Sequence, residues 1–301
     1  MGSALSRTAQ AASLQAAPWQ VAPLSPALGV RIAGVDVSRP LGQATWQAFE
    51  RAFFDHHLVS FPVQRLTEEQ LLAFSRRLGE LEPHVLSQYH HPRHPEVLLL
   101  SNEVRDGQPA GLADAGTYWH SDLSYKGRPA RATLLYGVTI PEEGGDTLFA
   151  NLERAYEDLS EDMKHELAHL KAVHNYAYRS NQLADELRIR QPLTPEQLAA
   201  TPNVEHPVVR THPVTDRKSL FINPGFTVRF VGMSDADSEA LKQRLFDHCL
   251  QAKYQCQYKW RVGDLLLWDN AAVMHAATTR DLDPSRHRTL WRTTVRGDEP
   301  V

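Results

Sequence analysis

Residues 264–277 read Asp-Leu-Leu-Leu-Trp-Asp-Asn-Ala-Ala-Val-Met-His-Ala-Ala, and the reading of the whole chain turns on them. Asp264 to Trp268 is an apolar run of strand length, closed by an Asp-Asn pair that favours a turn. His275 then follows in a wholly apolar setting, between Met274 and Ala276. A lone histidine there is by default a satisfied core residue. It becomes a ligand candidate only if the chain supplies others. Asp269 and Asn270 read either as ordinary turn caps or as groups that orient the turn carrying His275.

The others stand upstream, in Tyr118-Trp119-His120-Ser121-Asp122. A His and an Asp two apart in an extended chain point to the same side, because strand side chains alternate faces. Taken alone, the pair reads equally well as solvated or satisfied in the core. Taken with His275, it makes two imidazoles and one carboxylate. That is the facial triad that holds ferrous iron and leaves about three of six octahedral positions open. The expectation is that His120, Asp122 and His275 converge on one ion.

Downstream of His275 lies Arg288-Thr289-Leu290-Trp291-Arg292, inside the strand-like run Arg288 to Val295. An arginine entering a core strand needs an anion, because an unpaired buried charge is very costly. Its planar fork matches a carboxylate. Arg288 and Arg292 are four apart and share one strand face, so two anions are expected nearby. The competing reading pairs them with internal acids, Asp146 or Asp269 for Arg292 in particular.

Further strands are expected at Leu58 to Val63, Val97 to Ser101, Ala132 to Thr139 and Ser219 to Asn223. Helices are expected after Thr67, where Thr-Glu-Glu-Gln is a capping box, and after Ser234. Two more are expected over Thr45 to His57 and Leu152 to Leu170. Short strands with segregated helices predict an α+β fold, a sandwich or barrel buttressed by helices. The Ala-, Ser- and Gln-rich stretch Met1 to Pro18 reads as a flexible tail, with one domain over 19–301. Asn102 to Gly116 and Asn181 to His206 are polar, Gly- or Pro-containing and weakly periodic, so they are expected to be lid-like loops near the site.

Composition narrows the function classes. A net charge of −4 with no concentrated basic patch argues against a nucleic-acid partner. No apolar run approaches the roughly 20 residues of a membrane helix, and Met1 to Pro18 lacks the basic start and continuous apolar stretch expected of a secretory signal. Two cysteines exclude a disulfide scaffold and fit a reducing cytoplasm. No Gly-rich phosphate loop follows a strand.

With these residues assembled, the chain resembles the TauD/TfdA dioxygenase family, whose namesakes oxidise taurine and chlorophenoxyacetates. The likeness runs from Leu28-Gly29-Val30-Arg31-Ile32-Ala33-Gly34-Val35-Asp36 to Arg296-Gly297-Asp298. Its strongest blocks are Trp119 to Asp122, Gly144-Gly145-Asp146-Thr147, Trp268-Asp269-Asn270 with His275, and Arg288 to Arg292. The resemblance implies a distorted double-stranded β-helix, a jelly-roll barrel flanked by helices. It implies iron on His120, Asp122 and His275, with O2 and 2-oxoglutarate as co-substrates. It implies 2-oxoglutarate contacts from Thr147 and Arg288, and substrate contacts from Arg292 and, more loosely, His84. Where the taurine enzymes hold the substrate amine, this chain has Ala115-Gly116-Thr117-Tyr118, so taurine is not expected. The expected substrate is a small organic anion: a sulfonate, a sulfate ester, or an aryloxy or other carboxylate. Neither a nucleic acid nor a membrane is expected as partner, and a homo-oligomer is compatible with the sequence. Two other classes use the same triad: a zinc-dependent hydrolase and a non-catalytic cupin-like binding protein. The zinc hydrolase accounts for the triad but not for the arginine pair.

Overall fold

The computed structural model describes residues 19–178 and 193–301. The stretch Met1 to Pro18 and residues 181–192 of the second expected loop lie outside the described residues. The strands, in chain order, are β1 Gln20–Pro23, β2 Val30–Ala33, β3 Leu58–Phe61, β4 His90–His91, β5 His94–Ser101, β6 Val104–Arg105, β7 Gln108–Pro109, β8 Ala130–Thr139 and β9 Thr147–Asn151. They continue with β10 Lys171–His174, β11 Val204–Pro207, β12 Val209–Thr211, β13 Lys218–Leu220, β14 Thr227–Phe230, β15 Gln255–Tyr258, β16 Leu265–Asp269, β17 Val273–Ala277 and β18 Thr289–Arg296. The helices used below are α1 Gln43–His56, α2 Glu68–Arg76, α3 Leu152–Glu157, α4 Glu161–Leu167 and α5 Asp235–Cys249.

The main sheet has the order β1-β2-β3-β16-β8-β18-β5-β4, and a smaller one the order β15-β9-β17. Strand β16 lies between β3 and β8, antiparallel to both. Its alternation is complete: Leu265 and Leu267 enter one apolar cluster, Leu266 and Trp268 another. The first cluster packs the sheet against α1 and α2 through Trp46, Phe49, Phe53, Leu71 and Phe74. The second packs it against the small sheet through Phe149, Cys256, Tyr258 and Val273. Both faces are therefore covered, and a one-residue slip would exchange every contact of the strand. With each buried Leu or Phe contributing roughly 1.5–3 kcal/mol, that register is strongly fixed.

The result is a mixed α/β arrangement with several sheets. Helix α2 carries the expected capping box: Thr67 Oγ1 accepts from Gln70 N, and the Gln70 side chain accepts from Thr67 N. Ser234 caps α5. The single helix expected over 152–170 is instead two, because Ser160 caps a new start by accepting from Met163 N. The loop expected over 102–116 contains the β6–β7 hairpin, turning on Asp106 and Gly107, whose φ values of 51° and 76° suit a tight two-residue turn. The strand expected at Ser219 to Asn223 is shorter and earlier, at Lys218–Leu220.

The turn between β16 and β17 is held by buried charge. Asp269 accepts from Ala271 N at 3.0 Å and from His212 Nε2 at 2.7 Å, and His57 Nδ1 lies 3.6 Å from it. His57 Nε2 also lies 3.3 Å from Glu153, which meets Arg217 at 3.2 Å. Burial pushes the His57 imidazole down, but Asp269 and Glu153 more than reverse this and raise it to about 9. Charged His57 thus stabilises the fold fully below its unfolded pKa of about 6.5, and this contribution is lost as pH climbs toward 9. Thermal melts should show a fall in stability over that window. The fall should be clearly smaller in His57→Gln, and an equal slope in both proteins would show that this histidine is neutral in the fold.

Candidate metal centre

His120 and His275 are partners across an antiparallel bridge: His120 N donates to His275 O at 2.9 Å, and His275 N donates to His120 O at 2.8 Å. Cross-strand partners project to the same face. Their ring centroids are accordingly 4.2 Å apart. The chain does not stay extended to Asp122, as the two-residue spacing predicts. It enters a turn there, and Leu123 takes the left-handed region at φ 55°. The turn still brings the carboxylate round: Asp122 Oδ1 lies 3.5 Å from His120 Nε2, and Oδ2 lies 3.6 Å from His275 Nε2. All three residues are buried, and among the described residues they form the only group of three or more His, Cys, Asp or Glu side chains close enough to share an ion.

The donor set fits a divalent cation. His120 Nδ1 is 2.8 Å from Tyr118 O, so that nitrogen carries the proton and Nε2 presents its lone pair to the centre. The two Nε2 atoms and the carboxylate face one another across a gap just beyond hydrogen-bond length. Burial and the neighbouring His120 push the His275 pKa well down, so it is neutral, as a ligand must be. Burial alone would raise the Asp122 carboxyl, but Arg292, His275 and His120 hold it well below the usual range.

Asp122 is also held from behind. Its backbone N donates to Asn270 Oδ1 at 3.1 Å, and Thr133 Oγ1 donates to its Oδ2 at 2.7 Å. Asn270 Nδ2 donates in turn to Thr133 Oγ1, and Trp268 Nε1 donates to Asn270 Oδ1. Asn270 therefore positions the carboxylate rather than only the turn of His275, and Thr133 had no signal in the sequence. Gly116 packs on the ligand ring, since a Cβ there would lie 2.6 Å from His120 Cε1 at a φ of +64°.

Arg288 sits just before β18 and is buried, and its guanidinium reaches the cavity that also touches Thr147, His120 and His275. Arg288 Nε donates to Gly145 O at 2.8 Å. Gly145 has φ +70°, and a Cβ there would lie 2.8 Å from Arg288 Cδ, so the turn read at Gly144-Gly145 also makes room for this side chain. Burial lowers the Arg288 pKa to about 10, against the pull of Asp146. It stays charged, yet among the described residues no carboxylate forms an ion pair with it. Thr147 Oγ1 accepts from Trp260 Nε1 at 2.9 Å.

Arg292 lines the same cavity, four residues along, although a register irregularity falls between Thr289 and Leu290. Its partner is neither Asp146 nor Asp269 but Asp122, at 2.7 Å. His84 and Arg292 share a second cavity against the triad, walled by Tyr118, Tyr125, Tyr176 and Phe226. His84 Nδ1 accepts from Leu86 N at 3.1 Å. Leu112, Ala115 and Gly116 of the first loop line these cavities, and Leu193, at the edge of the second, packs on the surrounding apolar clusters.

Against known families, residues 20–294 match the model for the taurine catabolism dioxygenase TauD, TfdA family. The chain is 32% identical over 289 residues to the alpha-ketoglutarate-dependent 2,4-dichlorophenoxyacetate dioxygenase of Cupriavidus pinatubonensis, covering 93% of this chain and 98% of that one. It is 30% identical over 310 residues to the alpha-ketoglutarate-dependent sulfate ester dioxygenase of Pseudomonas putida, covering 99% and 96%. Among solved structures, AAD-2 in complex with Mn(II) and N-oxalylglycine superposes with a TM-score of 0.77 at 28% identity, covering 94% and 98%.

Thr133 tests the positioning of Asp122. Thr133→Val removes the hydroxyl at near-constant volume, leaving Asp122 Oδ2 and Asn270 Nδ2 each a partner short. Loss of such a support typically costs about 10–100-fold in metal affinity. Calorimetric titration with Mn(II) should show that drop in a protein that remains folded, and an unaltered affinity would remove Thr133 from the site.

Proposed function

The chain belongs to the TauD/TfdA family of 2-oxoglutarate-dependent dioxygenases, and from that premise we propose that it binds ferrous iron through His120, Asp122 and His275 and oxidises a small organic anion. The observation that carries the reading is the buried triad beside Arg288, a buried cation with no carboxylate partner among the described residues. A zinc hydrolase would have no use for that second feature, and formation of succinate separates catalysis from mere binding.

Iron bound there would supply activation of O2, coupled to conversion of 2-oxoglutarate to succinate and CO2 and to hydroxylation of the substrate. The protein's own residues do the rest. Arg288 and Thr147 hold the far carboxylate of 2-oxoglutarate, the guanidinium by a bidentate fork and the hydroxyl by donation. The hydrogen bond from His120 Nδ1–H to Tyr118 O fixes its tautomer, and Thr133 fixes Asp122. Arg292 and His84 receive the substrate on the opposite side, Arg292 by pairing with its acid group. The apolar and aromatic walls exclude water from the reacting atoms. Hydroxylation beside an ether or ester oxygen would give a product that falls apart, so the net outcome on such a substrate is cleavage.

The two facing sheets support a double-stranded β-helix barrel with this centre at its mouth, in a single domain over 19–301. The residues of 102–116 that line the cavities support a covering role for that loop. The two free, buried cysteines fit a reducing cytoplasm. No helix among the described residues is long and apolar enough to cross a membrane. The likenesses to the 2,4-dichlorophenoxyacetate and sulfate ester enzymes favour aryloxy acids and sulfate esters, with sulfonates next.

With Fe(II), O2 and 2-oxoglutarate, succinate should form in step with an acidic substrate from a panel of those three classes. Absence of succinate with every member would end the assignment of substrate class. Arg288→Lys keeps the charge and loses the fork, so the 2-oxoglutarate constant should rise about tenfold or more, the worth of one charge-assisted hydrogen bond. An unaltered constant would mean that another group anchors the co-substrate. Arg292→Gln should instead raise the substrate constant and uncouple succinate formation from substrate oxidation, leaving the 2-oxoglutarate constant nearly as it was.

A further inference from the structure

Tyr125 stands three residues after Asp122, in the cavity shared by Arg292 and His84. Its side chain is among the largest fully buried ones, packed against Tyr176 with centroids 4.5 Å apart and against Phe226 at 4.9 Å. The hydroxyl at its tip has no hydrogen-bond partner among the described residues. A buried hydroxyl without a partner is costly, and native proteins rarely leave one so without a use. Burial raises its pKa well above the ordinary value, so it remains a neutral donor.

A second orphan faces the same space. Arg292 spends one terminal nitrogen on Asp122, but its buried Nε donates to nothing among the described residues. Two residues from different elements thus line one cavity, each with a buried donor that no acceptor among the described residues meets, and an acceptor from outside the protein would satisfy both. Phe226, Tyr176 and Tyr118 wall that cavity with rings, so the acceptor must belong to a molecule with a flat or apolar body.

We propose that the Tyr125 hydroxyl is a substrate-reading donor that, together with Arg292 Nε, holds one acid group of the substrate, so that a phenylalanine here would relax selection for acids. The proposal rests on the reading that the substrate is a small organic anion, and adds a second, neutral donor to its recognition.

Tyr125→Phe keeps the ring and removes only the hydroxyl. In the substrate-free protein the variant should melt at the same temperature as wild type or higher, because an unmet polar group is gone. A lower melting temperature would show that the hydroxyl serves the fold, and would overturn the proposal. Binding is then measured by calorimetry on the Mn(II)- and 2-oxoglutarate-loaded protein. The probes are 2,4-dichlorophenoxyacetate, its uncharged amide and hexyl sulfate. For whichever acid wild type binds, Tyr125→Phe should weaken it by about 10–100-fold, the range of a hydrogen bond to a charged group. The difference in affinity between 2,4-dichlorophenoxyacetate and its amide should narrow, and the affinity for 2-oxoglutarate should not move. Equal binding of the acid by variant and wild type overturns this inference alone. Wild type binding neither acid overturns the anionic-substrate reading and this inference with it.

Discussion

A carboxylate buried to 2% exposure is the constraint on which this structure depends. Asp122 cannot be left ionised in an apolar interior without cationic and hydrogen-bonding partners, since the penalty for an isolated buried charge exceeds the stability of a typical domain. Every element around it answers that demand. Strand β8 brings Thr133, the turn after β16 brings Asn270, β18 brings Arg292, and the bridge to β17 brings two imidazoles. Thr133 and Asn270 also bond each other, so the carboxylate has a fixed bearing rather than merely a partner. A carboxylate so fixed, with two imidazoles facing it, is ready for a divalent cation with little reorganisation.

The two arginines divide the cavity by what they already hold. Arg292 is tied to Asp122, whereas the Arg288 guanidinium donates to the carbonyl of Gly145, lies 6.0 Å from the Trp260 ring centroid and has no carboxylate partner among the described residues. The free charge of Arg288 calls for an anion from outside, and its rigid position suits a molecule common to every turnover. Arg292 has a divided role, because a cation on Asp122 would compete with it for the same carboxylate oxygens.

Much of this was legible in the sequence because the chemistry sits in residue types rather than in contacts. The triad, both arginines and Thr147 stand in short, ordered blocks, and the strands that carry most of them are apolar runs with clean ends. What escaped has identifiable causes. The split of the helix over 152–170 depends on Ser160 winning a local competition between capping and continuing, which periodicity does not resolve. Strand β17 has no polar alternation, because Val273 to Ala276 are all buried. The β6–β7 hairpin is too short for a pattern, although Asp106-Gly107 is a turn signal that could have placed it. Asp122 reaches the two histidines through a turn with a left-handed leucine, so the extended spacing argument gave the convergence of the three side chains by the wrong path. Asn270 was marked as a turn residue but its hold on Asp122 was not legible, and Thr133 acts through a tertiary neighbour that no local pattern marks.

The side of the cavity away from Arg288 is built differently from the rest of the interior, and that difference bears on selectivity. The apolar clusters on the main sheet are closed by aliphatic and aromatic packing, and the polar atoms of Trp268, Trp260, Tyr258 and Tyr136 within them are hydrogen-bonded. Around Tyr125, four rings meet edge-on or tilted, with Arg292 among the residues that line the same space. Rings carry area at low entropic cost and hold their shape when a ligand leaves. A wall of that kind discriminates weakly among apolar bodies, since one methylene is worth only about 1–3 kcal/mol. It discriminates strongly at the points where a donor must be met. On the proposed reading, selection rests on the donors at Arg292 and Tyr125 more than on the outline of the cavity, and because Arg292 also holds Asp122, Tyr125 is the donor that can change without disturbing the centre.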